Sequence, residues 1–467
     1  MRPASSSCFR CVSLSRRPFS SSISTRQRNV VQSLEERGLV ASLTSRALRG
    51  HVEQPRTVYC GVDPSADSLH LGNLVALIGL LHFQLHGHDI LSLIGGATGS
   101  VGDPSGRSSE RQALSPDVLN HNVQSITRQL STFYERGLGF AAGRSQLKSS
   151  PGKLQVVNNL DWLGSLSLLD FLSGPGKTAR VSSMLARESI KTRLNSPSGI
   201  SFTEFTYNLL QAYDFQHLHR HYNCSIQLGG SDQYGNIMAG IETMQREGLI
   251  SDESTGDHSA SQAYGLTFPL LTTSNGAKFG KSAGNAVWLD PSKTSPFELY
   301  QFMLQVTDAD VLQYLKIFTF LPVSEIEQIY AEHSQDPSQR VAQTLLASEV
   351  TELIHGAQGV KQAQTATTLL FGQAKVSATE AKASLPASLV VESTAGQARS
   401  ASVTDMAVLA GLVASKSKAR QLVKAGGLYV DGRQVQDAEQ TIDSGSISQG
   451  VVVLRAGKNQ HKVLLIQ

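Results

Sequence analysis

The sequence is poor in cysteine, in charge of either sign and in long apolar runs. Four cysteines in 467 residues (Cys8, Cys11, Cys60 and Cys224) exclude a disulfide framework. Cys8 and Cys11 have C-x-x-C spacing, but no second pair accompanies them, so zinc or redox chemistry is not expected. The longest apolar run, Leu74 to Leu81, falls well short of the roughly 18 residues that span a bilayer, which argues against a membrane-crossing helix. A formal net charge of +3, from 41 basic and 38 acidic residues, leaves no global basic footprint, so any nucleic-acid surface must be local. With 40% hydrophobic and 17% charged residues, the chain is an ordinary globular sequence rather than a disordered or fibrous one. Its length predicts about three domains, and it has no internal repeat.

The opening thirty residues have no acid at all. They carry Arg2, Arg10, Arg16, Arg17, Arg26 and Arg28 together with runs of serine, and the first carboxylate is Glu35. An Arg-rich, Ser-rich, acid-free opening is the composition of an organellar transit peptide, expected here over residues 1–29. A disordered basic tail would look similar, but the composition changes abruptly near Val30. Without these six arginines the formal charge of +3 falls by six to −3.

Beyond a short helical pattern at Val31 to Leu48, a buried strand at Thr57 to Val62 leads through a loop into an apolar helix, Gly72 to Gly87. A second strand follows at Asp89 to Ile94. This is a βαβ unit, and further strands near 154–158, 224–228 and 264–271 alternate with helical segments, so the fold class is α/β with a parallel sheet. From Pro296 to about Leu370 the pattern is helical. Residues 373–400, rich in Ala, Ser, Thr and Gly, read as a linker. Residues 402–467 read as a small α+β unit.

The segments that carry chemistry lie at the strand-to-helix turns, where open α/β sheets bind ligands. The first runs from Tyr59 through Cys60, Asp63 and Ser65 to His70, Gly72 and Asn73, with backbone amides at a helix start suited to phosphate. The second, Gly95 to Arg107, is glycine-dense but does not fit G-x-G-x-x-G, so a dinucleotide fingerprint is not supported. Tyr207, Gln211 and Asp214 share one helical face, and an acid among Leu210, Tyr213 and Phe215 needs a partner. Gly229 and Gly230 precede Ser231-Asp232-Gln233 at another strand end. Gly280-Lys281-Ser282 is not a P-loop, because its first glycine would fall on Asn275. Gly176-Lys177-Thr178 fails in the same way at Phe171. Lysines flanking Gly280 still suit polyphosphate. The histidines at 82, 86 and 88 and at 217, 219 and 221 lack H-E-x-x-H context and read as polar helix ends rather than metal ligands.

Taken in order, a His-x-Gly loop, Tyr-x-x-x-Gln-x-x-Asp, Gln-x-Gly-Gly-x-Asp-Gln and Lys-x-x-Lys-Ser resemble the class I aminoacyl-tRNA synthetases. Within them they resemble the tyrosyl-tRNA synthetases of bacterial and organellar type, over about residues 30 to 467. The resemblance implies a Rossmann-like catalytic domain (30–290), an α-helical anticodon-binding domain (291–372) and, after the 373–400 linker, an S-four-like RNA-binding domain (401–467). It also implies site residues. Tyr59 and Asp214 would bind the substrate phenol; Asp103, Tyr207 and Gln211, with Thr98 and Gln233, would hold the ammonium group. Cys60, Asp63, Gly230 and Asp232 would surround the adenylate, with Gly72 and Asn73 at the ATP loop. Ser65 and His70 would donate to the γ-phosphate, and Arg107, Arg111, Lys278 and Lys281 would be the cations that close over pyrophosphate.

Asn73 departs from the family's His-x-Gly-His signature. Lys416, Lys418, Arg420 and Lys424 form a basic stretch suited to RNA phosphates. The substrates implied are tyrosine, ATP with Mg2+ and tRNA(Tyr), with no structural metal, a homodimer, no membrane and a place in the mitochondrial matrix. The rival expectations are a tryptophan-specific relative and an RNA-binding or intron-splicing protein on the same fold.

Overall fold

The computed structural model describes residues 28–467 apart from 106–108, 112–113, 148, 252–260, 277–278, 283–284, 373–375 and 458–459. The transit-peptide expectation for residues 1–29 therefore falls almost wholly outside the described residues, as do Cys8, Cys11, Arg107 and Lys278. Contacts divide the described chain into two units, one of residues 28–294 with 302–356 and the other of residues 295–301 with 357–467.

The first unit is built on a six-stranded sheet. Its strands are β1 Ser42–Leu43, β2 Thr57–Val62, β3 Asp89–Ile94, β4 Leu154–Asn158, β5 Cys224–Gly230 and β6 Tyr264–Phe268, in the order β1-β6-β5-β2-β3-β4. All neighbours are parallel except β1 with β6. The chain builds outward from β2 through β3 to β4, then returns to the other side of β2 with β5. The strand order reverses between β2 and β5, and their carboxyl ends open the crevice in which such sheets bind ligands.

The crossover from β2 to β3 is the helix Leu71–Leu85, buried almost all round. That burial accounts for its uninterrupted apolar sequence. Gly79 in this helix lies against Phe268: a Cβ there would stand 2.1 Å from the Phe268 ring. The expected helix at Val31 to Leu48 is instead a helix Val30–Glu36, strand β1 and a short helix Leu48–His51. The first helix stops at Gly38, whose φ of +72° favours glycine. Just before it, the Arg37 guanidinium donates to the carbonyls of Lys316, Thr319 and Leu321 at 3.1, 2.8 and 2.7 Å. These carbonyls lie at the end of the helix Asp308–Phe318, where a cation meets the negative end of the helix dipole.

The histidines of the 82–88 cluster serve the fold. His86 Nδ1 bonds the His82 carbonyl at 2.7 Å, and His88 Nδ1 accepts the backbone N–H of Arg56 at 3.1 Å. That nitrogen accepts only while the ring is unprotonated. Burial, then the neighbouring His86 and Arg56, lower the His88 pKa to about 4. A histidine with a depressed folded pKa contributes stability above its unfolded value near 6.5 and loses it as pH falls toward about 4. His88→Gln is therefore expected to flatten the acid limb of a Tm-against-pH curve between about pH 6.5 and 4, removing on the order of 3 kcal/mol of dependence. An acid limb identical to the wild type would refute this assignment.

The second unit contains the sheet β11-β10-β12-β13-β9. A two-stranded ladder, β7 Lys281–Ser282 with β8 Asn285–Ala286, precedes it in the chain. The five strands are β9 Val390–Ser393, β10 Leu428–Val430, β11 Arg433–Gln434, β12 Val451–Ala456 and β13 Gln460–Ile466. Alternation along β12 gives each face its own core. Val452 and Leu454 join Val403, Met406 and Leu428 on one side, and Val451 and Val453 join Leu369, Leu370 and Leu385 on the other.

Two expectations are corrected here. Residues 373–400 are not a linker where described: they contain the helix Ala378–Ser384, strand β9 and the helix Ala395–Ser400, and β9 pairs with β13. The small-residue composition of a linker also suits short helices when each begins on a cap, and Ser377 and Thr394 supply capping boxes. The helical stretch 291–372 is divided between the two units. Its long helix Val341–Phe371 breaks at Gly356, with φ +75° and ψ +176°.

Candidate active site

The carboxyl ends of four parallel strands bring together most of the predicted tyrosine-site residues. Asp63 follows β2, Thr98 follows β3, Asn159 follows β4 and Gln233 follows β5. The helix Phe202–Tyr222, capped by Ser201, faces them with Tyr207, Gln211 and Asp214.

At one end lies Asp214, 2% exposed. Its carboxylate accepts from Asn159 Nδ2 at 2.9 Å and Trp162 Nε1 at 2.8 Å. Burial pushes its pKa up to about 7, against these two hydrogen bonds, which favour the charged form. Tyr59, on the adjoining β2, is equally buried, and its hydroxyl has no hydrogen-bond partner among the described residues. Burial, followed by the charge of Asp214, raises its pKa. An orphaned buried hydroxyl beside a buried carboxylate is a polar pair awaiting a third member.

At the other end, Asp63 accepts from Thr98 Oγ1 at 3.0 Å and Tyr207 Oη at 3.1 Å, with Arg111 at 3.8 Å. Burial and then the nearby Asp103 raise the Asp63 pKa, while Arg111 and the two hydroxyls oppose the rise. Asp103 accepts from Gln233 Nε2 at 2.7 Å. Gln233 Oε1 accepts from Gln211 at 3.2 Å, and Asn236 bridges Gln211 and Gln233 at 3.0 and 3.2 Å. Two acids embedded among amides make a pocket for a cationic group.

Asn159 joins the two ends. One Nδ2 donates both to Asp214 and to Thr98, at 2.9 and 3.0 Å, and its Oδ1 holds the Ala97 N–H at 2.8 Å. Asn159, Trp162 and Asn236 were not singled out by the sequence, although Asn159 sits directly after a predicted strand.

The loop after β2 is fixed from outside. Asn122 and Gln129, on the helix Pro116–Arg144, hold the Pro64 carbonyl, the Asp67 carbonyl and the Leu69 N–H at 3.0 Å each. His70 caps the helix Leu71–Leu85, and its backbone N–H donates to Asn73 Oδ1 at 3.0 Å. Asn73 thus closes half of a capping box, which gives the residue that departs from the family signature a structural role. Gly72 lets the His70 ring lie over it: an added Cβ would stand 2.9 Å from Cε1 and push the ring aside.

Gly280, at φ +90°, approaches Leu71 and Gly72 from the lysine-bearing loop. Val287 ties the two segments by accepting from the Leu71 N–H at 2.8 Å and donating to the Gly280 carbonyl at 3.0 Å. Lys281 lies in β7 with its backbone described, and Arg107 and Lys278 lie outside the described residues.

Cys60 is not part of the polar network. It is buried, and burial raises its thiol to about 12. Gly229 and Gly230 allow the sharp turn after β5, where a Cβ would meet Gln233 Cβ at 2.8 Å or Asp232 Oδ1 at 2.6 Å. Asp232 is exposed and accepts from Gln233 at 3.2 Å. Ser65 turns back so that its N–H meets the Asp63 carbonyl at 2.8 Å. The described residues contain no group of three or more His, Cys, Asp or Glu side chains able to hold a metal ion.

In the second unit, the helix Lys416–Lys424 carries the predicted basic face. Two of its cations are engaged, Lys416 with Asp405 at 2.8 Å and Arg420 with Glu439 at 2.6 Å. Such exposed pairs are weak and exchange readily for phosphate.

Comparison with known proteins reports on both units. The family described as tRNA synthetases class I (W and Y) matches residues 51–372, and that described as the tyrosine–tRNA ligase SYY-like C-terminal domain matches residues 387–464. Similar proteins include the mitochondrial tyrosine–tRNA ligase of Drosophila melanogaster, 41% identical over 88% of this chain and 87% of that protein. That of Saccharomyces cerevisiae is 41% identical over 93% of this chain and 88% of that protein. The crystal structure of a C-terminally truncated Aspergillus nidulans mitochondrial tyrosyl-tRNA synthetase superposes with a TM-score of 0.66 at 36% identity. It covers 73% of this chain and 93% of that one.

Proposed function

The chain belongs to the tyrosine–tRNA ligases of the class I aminoacyl-tRNA synthetases, and from that premise we propose that it activates tyrosine with ATP and transfers it to mitochondrial tRNA(Tyr). The observation that carries the substrate reading is the buried pair of an unpartnered Tyr59 hydroxyl and the Asp214 carboxylate, which fits a phenol. Asp103, Tyr207 and Gln211, with Thr98 and Gln233, then take the ammonium group, and Asp63, bonded to Thr98 and Tyr207, stands beside them toward the adenylate. The tyrosine carboxylate attacks the ATP α-phosphate: a new P–O bond forms, the bond to the bridging oxygen breaks and pyrophosphate leaves. A 3′-terminal ribose hydroxyl of the tRNA next attacks the mixed anhydride and AMP departs. No protein nucleophile is needed, so catalysis is positioning together with stabilisation of charge on the phosphates. We assign that role to His70, Ser65, Arg107, Arg111, Lys278 and Lys281. Among the described residues no group of His, Cys, Asp or Glu side chains forms a cage for Mg2+, which would arrive with the triphosphate.

Further parts of the proposal rest on separate observations. The segment 160–202 leaves large apolar side chains exposed, among them Leu168, Leu169, Leu172, Val181 and Phe202, which supports a homodimer. Sedimentation should give twice the chain mass, and a monomer at micromolar concentration would refute the dimer. The acid-free opening and the mitochondrial relatives support import into the matrix. The basic helix Lys416–Lys424 supports tRNA binding by the second unit.

The function is tested by ATP–pyrophosphate exchange with tyrosine, tryptophan and phenylalanine on protein lacking residues 1–29, followed by charging of mitochondrial tRNA(Tyr). Exchange with tyrosine alone is expected. Exchange with tryptophan would overturn the reading of Tyr59 and Asp214.

A further inference from the structure

The Trp162 indole that donates to Asp214 has a second neighbour. His217 lies three residues beyond Asp214 on the helix Phe202–Tyr222, so both side chains point from the same helical side. Its imidazole stacks on the indole, with ring centroids 4.4 Å apart and planes 11° from parallel. His221, one turn further on, stands 4.3 Å from His217, and Tyr213 and Tyr222 flank it at 6.4 Å. Trp162 itself belongs to a helix of only four residues, Leu160–Leu163. The indole is buried in the core cluster with Tyr59, Val157 and Phe215, and within it two contacts orient the ring, its Nε1–H on Asp214 at 2.8 Å and its face on His217.

We propose that His217 is a positioning residue for amino-acid recognition: its ring backs the Trp162 indole and aims Nε1–H at Asp214, and this sets the discrimination of tyrosine from phenylalanine. The proposal rests on the reading of Tyr59 and Asp214 as the phenol-binding pair. A hydrogen bond loses strength steeply as its angle bends, so an indole free to rock would leave one Asp214 oxygen intermittently unsatisfied. The cost falls on substrates whose hydroxyl needs that carboxylate held in place. Phenylalanine makes no such demand, so the ratio between the two substrates reports the effect. ATP, whose loop lies at His70, does not.

The test is pyrophosphate exchange on the full chain with tyrosine and with phenylalanine, comparing wild type, His217→Ala, His217→Gln, His217→Phe and Asp214→Asn. His217→Ala and His217→Gln are each expected to raise KM for tyrosine about tenfold and to lower the tyrosine-to-phenylalanine ratio of kcat/KM by a similar factor. The kcat at saturating tyrosine and KM for ATP should stay within about twofold. His217→Phe keeps a flat ring on the indole and should restore both values. The chain has two tryptophans, so in a Trp288→Phe background the emission of Trp162 should shift on His217→Ala and return on His217→Phe. His217→Gln carries the same test should the alanine variant fold poorly. An unchanged substrate ratio in a folded ring-less variant would overturn the proposal, as would failure of His217→Phe to rescue. A normal KM for tyrosine in Asp214→Asn would instead overturn the phenol-site reading beneath it.

Discussion

Asp214→Asn is expected to cut kcat/KM for tyrosine about a thousandfold in pyrophosphate exchange while leaving KM for ATP close to the wild-type value. The carboxylate receives two donors, Asn159 Nδ2 and Trp162 Nε1, one on each oxygen. An amide has one acceptor oxygen, so its NH2 must face one of those donors. The substitution therefore orphans a buried N–H, at roughly 1–3 kcal/mol, and removes a charge-assisted bond to the substrate hydroxyl, at about 1.5–3 kcal/mol. Together these make on the order of 4 kcal/mol, or three decades. Tyr59→Phe should cost far less, because it deletes a neutral hydroxyl that has no protein partner among the described residues. Rejection of phenylalanine by a site built for a phenol is the argument for which this enzyme family is itself the standard example. Equal kcat/KM values for wild type and Asp214→Asn would sink the assignment.

With Asp214 in the proposed phenol site, tyrosine recognition is expected to depend on pH. Burial holds its pKa at about 7 in the free protein, and a protonated carboxyl cannot accept from both donors and a phenol at once. KM for tyrosine should rise as pH falls through about 7 and level off above it. For a carboxyl with a raised pKa, the folded free protein binds a proton that the unfolded chain has already released. Stability from this group therefore declines as pH rises from the ordinary carboxylate range to about 7. Tyrosine should accordingly raise Tm more at pH 8 than at pH 6, and that difference should vanish in Asp214→Asn.

Much of this was legible in the sequence, because the site is built from strand ends. Apolar runs bounded by glycine and acidic loops mark β2, β3 and β5, and the motifs at Asp63, Thr98 and Gln233 follow them directly. What escaped has no local signature. Asn159 is one asparagine after β4, and its role as a bridge from Asp214 to Thr98 exists only once β4 is placed beside β3. Trp162 reads as an apolar residue and acts as a donor. In the stretch 373–400 a linker-like composition hides short capped helices and a strand. Ser377 with Glu380 is a visible S-x-x-E box, and Val390-Val391 is a short β-branched run that pairs only with residues more than seventy positions later. Gly38, at φ +72°, likewise marks a helix stop inside the continuous helical pattern Val31 to Leu48.

His70→Ala is expected to show the opposite kinetic signature, a loss of about 10²–10³ in kcat for tyrosyl-adenylate formation with KM for tyrosine within about twofold of wild type. The imidazole stands at the start of the helix Leu71–Leu85, over Gly72, where a Cβ would push it from this position. Its backbone is clamped by Asn73 Oδ1 at 3.0 Å and its ring lies 6.2 Å from that of Trp288. The residues of the tyrosine pocket are held by a separate network through Asn159 and Gln233, so removing the imidazole leaves them in place. On the proposed reading it removes a donor to phosphate oxygens, whose worth grows as charge moves onto pyrophosphate. Substrate bound in the ground state would hardly register the loss, whereas the transition state would. Asn73→Ala should produce a smaller fall in the same parameter, because it loosens the turn without deleting the donor. A His70→Ala enzyme with normal kcat and a raised KM for tyrosine would invert this order and place His70 in substrate binding.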